Sequence, residues 1–174
     1  MDKHYHNVVP PRSIKLLLVS EAPPAADKPE NYFYNVTDGF RVDGRKRSFF
    51  RELMKGVGLI SENAAMYNER KVLDAFLESG YFLIDTCPTA IVGNDKKSCM
   101  LEYANSLLHA IKELNPDKIL FVCKTNEVIM EHFKDDKEIY NKMVQTFALP
   151  YPGNGQQVRF RREFPKSYKL PSIF

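Results

Sequence analysis

The chain has 174 residues, of which 44% are hydrophobic and 27% charged, and its formal net charge is +3. This length corresponds to about one domain, and the composition is that of a globular protein, which excludes disordered, collagen-like and membrane-embedded chains. The longest wholly aliphatic run, residues 16–19, is far shorter than the ~18 residues of a membrane-spanning helix, and the opening Met-Asp-Lys-His-Tyr-His-Asn lacks the apolar core of a secretory signal.

Short apolar segments alternate with helical patterns along the chain. The aliphatic segment 14–19 predicts a buried strand, and the apolar positions between 49 and 57 recur at helical spacing. Residues 69–79 predict a second helix, closed by Gly80, and residues 81–85 predict the second strand.

The second half of the chain continues this alternation. An apolar stripe over residues 98–114 predicts a long helix, and residues 118–122 predict a third strand. A further helix is expected from Thr125 onward, and residues 146–149 predict a weaker fourth strand. Strands that alternate with helices favour right-handed crossovers and parallel pairing. The sequence therefore predicts a three-layer α/β/α fold around a central four-stranded, mainly parallel sheet.

The loops that follow the predicted strands are the expected place for a site, because ligands of such sheets bind beyond the carboxyl ends of the strands. These loops are residues 20–24, 85–88, 123–126 and 151–157. Three of the four combine Pro or Gly with hydrogen-bonding side chains. That combination is typical of irregular loops that form a site.

Two segments concentrate positive charge on a nearly neutral chain. Residues 39–51 and residues 151–174 each carry five cationic side chains against one acid. Such segments indicate a partner that bears phosphate groups. Solvated loop and helix faces are the alternative interpretation for either segment taken alone.

Motifs for several common chemistries are absent from the sequence. The chain has no Walker-type phosphate loop, no Gly-x-Gly-x-x-Gly after a strand, no Gly-x-Ser-x-Gly elbow and no His-Glu-x-x-His. Its three cysteines, Cys87, Cys99 and Cys123, are too widely spaced to clamp a metal. We therefore expect free thiols in the cytoplasm, a single domain over residues 1–174, and neither a metal nor another cofactor.

The loop after the first predicted strand carries a family resemblance. Residues 18–24 read Leu-Val-Ser-Glu-Ala-Pro-Pro, which resembles the Gly-Glu-Ala-Pro-Gly loop of the uracil-DNA glycosylase superfamily. Residues 149–154, Leu-Pro-Tyr-Pro-Gly-Asn, take the place of that family's closing His-Pro-Ser loop, and the resemblance covers roughly residues 12–165. It implies a four-stranded parallel sheet with helices on both sides, and a pocket at the strand ends that receives a nucleotide rotated out of duplex DNA.

The resemblance also implies that a glycosidic bond is broken through an oxocarbenium-like sugar cation. That chemistry needs a carboxylate, a donor to the departing base and a polar group that reads the base edge. Glu21 corresponds to the family's carboxylate, and its alternative is a loop acid that caps backbone N–H groups. Asp85 lies where the family has a base-reading Asn, and its alternative is a cap for the following turn. An ionised Asp only accepts hydrogen bonds, so it should disfavour the O4 of uracil and prefer an amino-bearing edge.

The remaining site positions depart further from the family. Tyr151 stands in place of the family's His, and a phenol donates a hydrogen bond without carrying positive charge. Asn154 and Gln157 are candidate donors from the same loop, with simple turn formation as the alternative. Tyr34 and Phe40 belong to the loop where the family places a base-stacking ring, although aromatic side chains also cover the edges of cores.

Under this interpretation the basic residues contact DNA phosphates; they are Arg45, Lys46, Arg47, Arg159, Arg161 and Arg162. Some members of the superfamily carry a four-cysteine iron-sulfur cluster near the N-terminus, and none is expected here because no cysteine precedes Cys87. The sequence thus favours a DNA glycosylase that removes a damaged or deaminated base, with a substrate that need not be uracil. The alternatives are a nucleic-acid-binding protein that has lost catalysis, and a small-molecule enzyme acting on nucleosides or nucleotides.

Overall fold

The computed structural model describes residues 8–42, 48–93 and 95–174. Within these residues the strands are β1 (Leu16–Ser20), β2 (Phe40–Val42), β3 (Met66–Asn68), β4 (Tyr81–Asp85) and β5 (Ile119–Phe121). The helices are α1 (Ser48–Val57), α2 (Glu69–Glu78), α3 (Lys96–Glu102), α4 (Ala104–Leu114), α5 (Glu127–His132), α6 (Lys137–Lys142) and α7 (Gln157–Glu163). Short 3-10 turns lie at Pro29–Asn31, Lys124–Asn126 and Lys166–Tyr168.

The main sheet is parallel, with β1 in its centre between β4 and β5. Every residue of these three strands is buried, which is why their sequences are nearly continuous apolar runs rather than alternating patterns. In this register Ser20 at the end of β1 lies beside Asp85 at the end of β4. The predicted α/β fold with a parallel sheet is thus confirmed at this level.

The main sheet has three strands in the described part of the chain, not the four that we predicted. Residues 146–149 contribute a single parallel bridge between Val122 and Leu149, where the N–H of Leu149 donates to the carbonyl of Phe121 at 2.9 Å. The ladder stops there because Cys123 takes a left-handed φ of 72° and leads into the 3-10 turn that follows. Its partner segment then reaches Pro150, which has no N–H for a ladder.

The connections between the strands create a crevice at the centre of the sheet. The chain leaves β1 toward β4 on one side, and it leaves β5 toward the Leu149 bridge on the other side. The point at which neighbouring strands send their connections in opposite directions is the usual ligand crevice of open α/β sheets. Here that point lies between the carboxyl ends of β1 and β5.

The long helix predicted over residues 98–114 is divided into α3 and α4 at Tyr103. At that residue the backbone N–H bonds to the carbonyl of Met100, three residues back, so the regular ladder is interrupted. Most of the predicted apolar stripe faces the core, since Met100, Leu107 and Ile111 are buried, whereas Leu101, which was also part of that stripe, is 42% exposed. Asn115 ends α4 in a left-handed conformation directly before Pro116, so the helix ends at the residue where the predicted apolar stripe also ends, Leu114.

The strands β2 and β3 and the helix α7 were not predicted from the sequence. Strands β2 and β3 form a separate antiparallel pair, and α7 packs against α1. The close approach of the two helices depends on Gly56 in α1, because a Cβ there would overlap the ring of Phe160 in α7. Arg161 of α7 also forms an ion pair with the buried Glu52 of α1. None of the helices in the described ranges is long and apolar enough to cross a lipid bilayer.

Candidate functional site

A cavity of about 920 Å³ opens at the carboxyl ends of the three parallel strands. Its walls come from residues 20–24 after β1, Asp85 at the end of β4, residues 123–125 after β5, and the segment between Pro150 and Arg159. The cavity therefore occupies the crevice that the strand connections create. Five of the predicted site residues line it: Glu21, Asp85, Tyr151, Asn154 and Arg159.

Glu21 is held from two sides at the mouth of this cavity. The Nζ atom of Lys96 lies 2.7 Å from its Oε1, and the hydroxyl of Thr125 donates to its Oε2 at 2.5 Å. The Glu21 side chain is 19% exposed, so it faces solvent only in part. Charge-assisted bonds to both oxygens restrict the rotation of the carboxylate. The group is thus presented to the cavity in one orientation.

Asp85 lies at the inner end of the cavity and is buried. The hydroxyl of Ser20 donates to its Oδ1, and this bond joins the ends of β1 and β4. Burial raises the pKa of Asp85 from 3.8 to about 7, while the hydrogen bond from Ser20 acts in the opposite direction. Near neutral pH the side chain is therefore present both as a carboxylate, which only accepts hydrogen bonds, and as a carboxylic acid, which also donates one.

Tyr151 also lines the cavity. Its ring lies 5.5 Å from that of Phe49, centroid to centroid, and it is 38% exposed. Gly153 allows this placement, since a Cβ on Gly153 would come within 2.5 Å of the Tyr151 Cε1. Burial raises the pKa of the Tyr151 phenol, and Cys123 and Glu21 add to the effect. The phenol is consequently a hydrogen-bond donor at neutral pH.

Asn154 is exposed and has a left-handed φ of 49° in the turn that follows. A positive φ is commoner for Asn than for most residues other than glycine, so the local sequence suits this turn. The side chain lines the cavity together with Gln156. Gln157, the residue predicted from the sequence, begins α7 and is not among the residues that line the cavity.

The aromatic wall consists of rings other than the two that we predicted. Tyr32, Phe33 and Phe49 line the cavity. Tyr34 is buried behind them, where its hydroxyl donates to the Leu83 carbonyl and accepts from the Leu83 N–H, each at 2.8 Å. It therefore anchors the loop to β4. Phe40 lies outside the cavity on β2, where it is 60% exposed and its ring contacts that of Phe174.

The predicted cationic residues occupy different environments. Arg159 lines the cavity and pairs with Glu163 at 2.7 Å. Arg161 is engaged with Glu52 and Glu62, so it connects α7 to α1 and its following turn. Arg162 is largely exposed. The other three predicted cations, Arg45, Lys46 and Arg47, lie outside the described residues.

Two cationic side chains that line the cavity were missed by the sequence analysis, Lys96 and Lys124. Lys124 pairs with Glu127 at 2.9 Å and also lies over the ring of Phe147. Lys124 lies in a loop directly after a predicted strand, so its position could have identified it from the sequence. Lys96 had no such signal, because only the packing of α3 brings it to Glu21.

A buried amide holds the three strand ends in place around the cavity. The Asn126 side chain donates to the carbonyls of Val19 at 3.2 Å and Val122 at 2.7 Å, and its Oδ1 accepts from the hydroxyl of Thr86 at 2.6 Å. Asn126 and Thr86 are fully buried. Satisfied buried networks of this kind fix one arrangement of the groups that they connect. The loops after β1, β4 and β5 are thereby held in register.

Comparison with known proteins adds no family assignment, since the chain matches none of the protein-family models, curated proteins or solved structures with which it was compared. Among the residues that the structure describes, no cluster of three or more His, Cys, Asp or Glu side chains is arranged to hold a metal ion. The chemistry of the cavity therefore has to be inferred from its own side chains. They offer an oriented carboxylate, a carboxyl whose pKa is raised by burial, a phenol donor, aromatic rings and three cations.

Proposed function

We propose that this protein is a DNA glycosylase of the uracil-DNA glycosylase-like type that hydrolyses the N-glycosidic bond of a flipped-out damaged or deaminated base. The single observation that supports it best is the convergence of Glu21, Asp85 and Tyr151 on one cavity. These residues are remote in sequence, and each occupies the position that the resemblance assigns to a separate task. A parallel sheet with the cavity at its carboxyl ends is also what the resemblance implies.

The dimensions of the cavity agree with a nucleotide. Pockets for small molecules occupy roughly 300 to 1,000 Å³, and the observed volume of about 920 Å³ lies at the upper end of that range. The flat rings of Tyr32 and Phe49 provide surfaces on which a base can stack. Lys96, Lys124 and Arg159 line the cavity, each beside a carboxylate, and offer cationic groups that the phosphates of a sugar-phosphate backbone can contact.

In the proposed reaction Glu21 acts at the sugar. As the bond between C1′ and the base nitrogen breaks, its electron pair leaves with the base and positive charge develops on the sugar ring. A carboxylate held beside the sugar stabilises this charge and orients the water whose oxygen adds to C1′. The proton that this water loses balances the one that the departing base finally gains.

Tyr151 and Asn154 act at the leaving group. A base that departs as an anion is stabilised by hydrogen-bond donors placed where its negative charge develops. The Tyr151 phenol and the Asn154 amide both line the cavity and both carry a donor. Because neither donor is cationic, we expect slower release than a protonated His would support, and greatest activity on bases that are good leaving groups.

A small-molecule enzyme acting on nucleotides is the second candidate, and the charge pattern of the cavity favours it over a protein that has lost catalysis. Lys96, Lys124 and Arg159 lie around one concave site, which also suits a single phosphate group. Binding to DNA distinguishes the two candidates. Several neutralised phosphates give affinity that falls steeply with salt, whereas one phosphate gives a shallow dependence.

Base release from oligonucleotides tests the proposal directly. The full chain is incubated with single-stranded and duplex oligonucleotides that contain uracil, hypoxanthine, xanthine or an alkylated base, and abasic sites are scored by alkaline strand cleavage. The Glu21→Gln variant should lose about 10²-fold or more in rate, whereas Glu30→Gln, an exposed acid outside the cavity, should match the wild type. DNA binding without release of any base would favour a non-catalytic binder. Absence of DNA binding together with binding of mononucleotides would favour the small-molecule enzyme.

A further inference from the structure

The amine of Lys96 is the group in the cavity that the proposed reaction leaves unused. Its Nζ atom lies 2.7 Å from the Oε1 of Glu21, and its side chain is 51% exposed, so the amine is not fixed in the core. A positive charge beside Glu21 opposes the stabilisation that this carboxylate gives to a developing sugar cation. For base release, Lys96 therefore orients Glu21 at an electrostatic cost.

A primary amine at this place has a chemistry of its own. Hydrolysis of the glycosidic bond leaves an abasic sugar, whose C1′ is an aldehyde carbon in the ring-opened form, and lysine amines form imines with carbonyl carbons. Under the proposed function Glu21 lies beside C1′, so the amine that contacts Glu21 is close to the same carbon. We propose that Lys96 forms an imine with C1′ of an abasic sugar, and that the protein then cleaves the DNA strand by β-elimination. This inference rests on the proposed function in one respect, that a flipped-out sugar occupies this cavity.

The atoms and electrons of this reaction balance with water as the only other participant. The Lys96 ammonium passes one proton to Glu21, and the free amine adds to C1′. The carbonyl oxygen leaves as water with one proton from the nitrogen and the one that Glu21 held, so Glu21 is again a carboxylate. Glu21 next takes a proton from C2′; the electron pair of that C–H bond forms the C2′=C3′ double bond, and the C3′–O bond breaks with its pair on the phosphate oxygen. Water finally hydrolyses the imine and restores the amine.

The other two cations that line the cavity are less suited to this chemistry. Lys124 also carries an amine, but its Nζ bonds to Glu127, which is not among the residues that line the cavity. Arg159 carries a guanidinium, which stays charged and is not an imine-forming nucleophile. Lys96 also lies near the sheet, because burial raises the pKa of Cys123 just after β5 and the charge of Lys96 acts in the opposite direction. Of these three cations, Lys96 is the one paired with a carboxylate of the cavity.

Borohydride trapping on a preformed abasic site tests the inference without requiring base release. The full chain is incubated with single-stranded and duplex oligonucleotides that carry one abasic site prepared beforehand, together with sodium borohydride, which reduces an imine to a stable secondary amine. We expect a covalent protein–DNA adduct on a denaturing gel, and peptide mass spectrometry should map the modified residue to Lys96. Without borohydride the protein should cleave the strand on the 3′ side of the abasic sugar at neutral pH, where the oligonucleotide alone stays intact.

Two variants make the result specific. Lys96→Arg keeps a positive charge beside Glu21 but forms no imine, so both the adduct and the strand cleavage should be lost. Lys97→Arg, at the exposed next position of α3 and outside the cavity, should give as much adduct as the wild type.

The outcomes separate this inference from the proposed function. Absence of an adduct, or an adduct that maps to any other amine, would overturn the inference, and base release from the damaged-base oligonucleotides would then decide the glycosylase proposal by itself. An adduct at Lys96 in a protein that releases no base would uphold the inference and overturn the glycosylase proposal.

Discussion

Thr125 donates its hydroxyl to the Oε2 of Glu21 at 2.5 Å, although 104 residues separate them along the chain. This bond connects the loop after β1 to the turn after β5 and holds one oxygen of the proposed catalytic carboxylate. Thr125 acts through Glu21, so it is a positioning residue under the proposed function.

Replacing Thr125 by Val should therefore lower the rate of base release about tenfold, which corresponds to the loss of one charge-assisted hydrogen bond. Single-turnover kinetics separate this effect from binding, and the apparent affinity for substrate should change little. Thr125→Ser keeps the hydroxyl and should restore most of the rate. Equal rates for the Val and wild-type proteins would show that the bond does not position Glu21 for catalysis.

The raised pKa of Asp85 has a consequence for stability. The folded protein binds this proton more tightly than the unfolded chain, whose carboxyl titrates at its ordinary pKa of 3.8. As pH rises from about 4 to about 7, the unfolded chain releases the proton first, so burial of Asp85 progressively destabilises the fold. Asp85→Asn should match the wild type near pH 3.5 and be more stable by about 2 to 4 kcal/mol at pH 8. Urea denaturation across this pH range measures the difference, and a constant difference would contradict the assigned direction.

Loss of the buried Asn126 network should lower the free energy of unfolding more than loss of an exposed polar contact. Asn126→Ala removes the donor to the Val122 carbonyl and the acceptor of the Thr86 hydroxyl, while the Val19 carbonyl keeps the hydrogen bond from the Val122 N–H. We expect a loss of about 2 to 4 kcal/mol in the free energy of unfolding, because unsatisfied buried groups keep their desolvation cost. Asn105→Ala, at an exposed position on α4, is the matched control and should change stability by less than about 0.5 kcal/mol.

The contact between Gly56 and Phe160 predicts that the stability of variants at these two positions depends on the sizes of both side chains. Gly56→Ala adds a Cβ that overlaps the Phe160 ring, so α7 has to shift, and we expect a loss of about 1 to 3 kcal/mol despite the better helix propensity of Ala. Combining Gly56→Ala with Phe160→Leu should lose less than the sum of the two single variants. Additive losses in thermal unfolding would indicate that the two positions do not share one packing constraint.

Arg159 and Arg161 of α7 should have different roles. Arg159→Gln removes a cation from the cavity wall and should reduce the slope of log affinity for DNA against log salt by about one. Arg161→Gln should leave that slope unchanged and lower stability by about 1 to 3 kcal/mol, since it removes a partner of the buried Glu52. Fluorescence anisotropy at several salt concentrations and urea denaturation check the two halves of this prediction.

The three strands of the main sheet could be predicted from local sequence. The segments around Leu16–Ser20, Tyr81–Asp85 and Ile119–Phe121 are short aliphatic or aromatic runs that end near Pro, Cys or polar residues, and each forms a buried strand. Strands that are buried on both faces consist of such continuous apolar runs, so the sequence pattern predicts where they lie. The predicted fourth strand is reduced to a single bridge because the neighbouring backbone turns away at Cys123, which has a left-handed φ. A left-handed φ at a cysteine has no sequence signature.

Only the site residues that lie at the ends of strands could be predicted from the sequence. Glu21, Asp85 and Tyr151 each lie just after an apolar segment, and parallel strands bring their carboxyl ends to one edge. The sequence predicted Tyr34 and Phe40 as stacking rings because both are aromatic residues of the loop that follows β1. The rings that line the cavity include Tyr32 and Phe49 instead. Which ring of a cluster faces a cavity depends on side-chain packing, which neighbouring positions in a sequence do not distinguish.

Local sequence is enough to locate the three strands of the main sheet, their parallel direction and the edge at which polar side chains gather, because hydrophobic periodicity and crossover handedness are local or near-local properties. Long-range packing is what brings Lys96 and Thr125 to Glu21, Ser20 to Asp85, and Arg161 to Glu52. Those contacts join segments tens of residues apart. Their strength comes from burial and distance, and both exist only once the chain has packed.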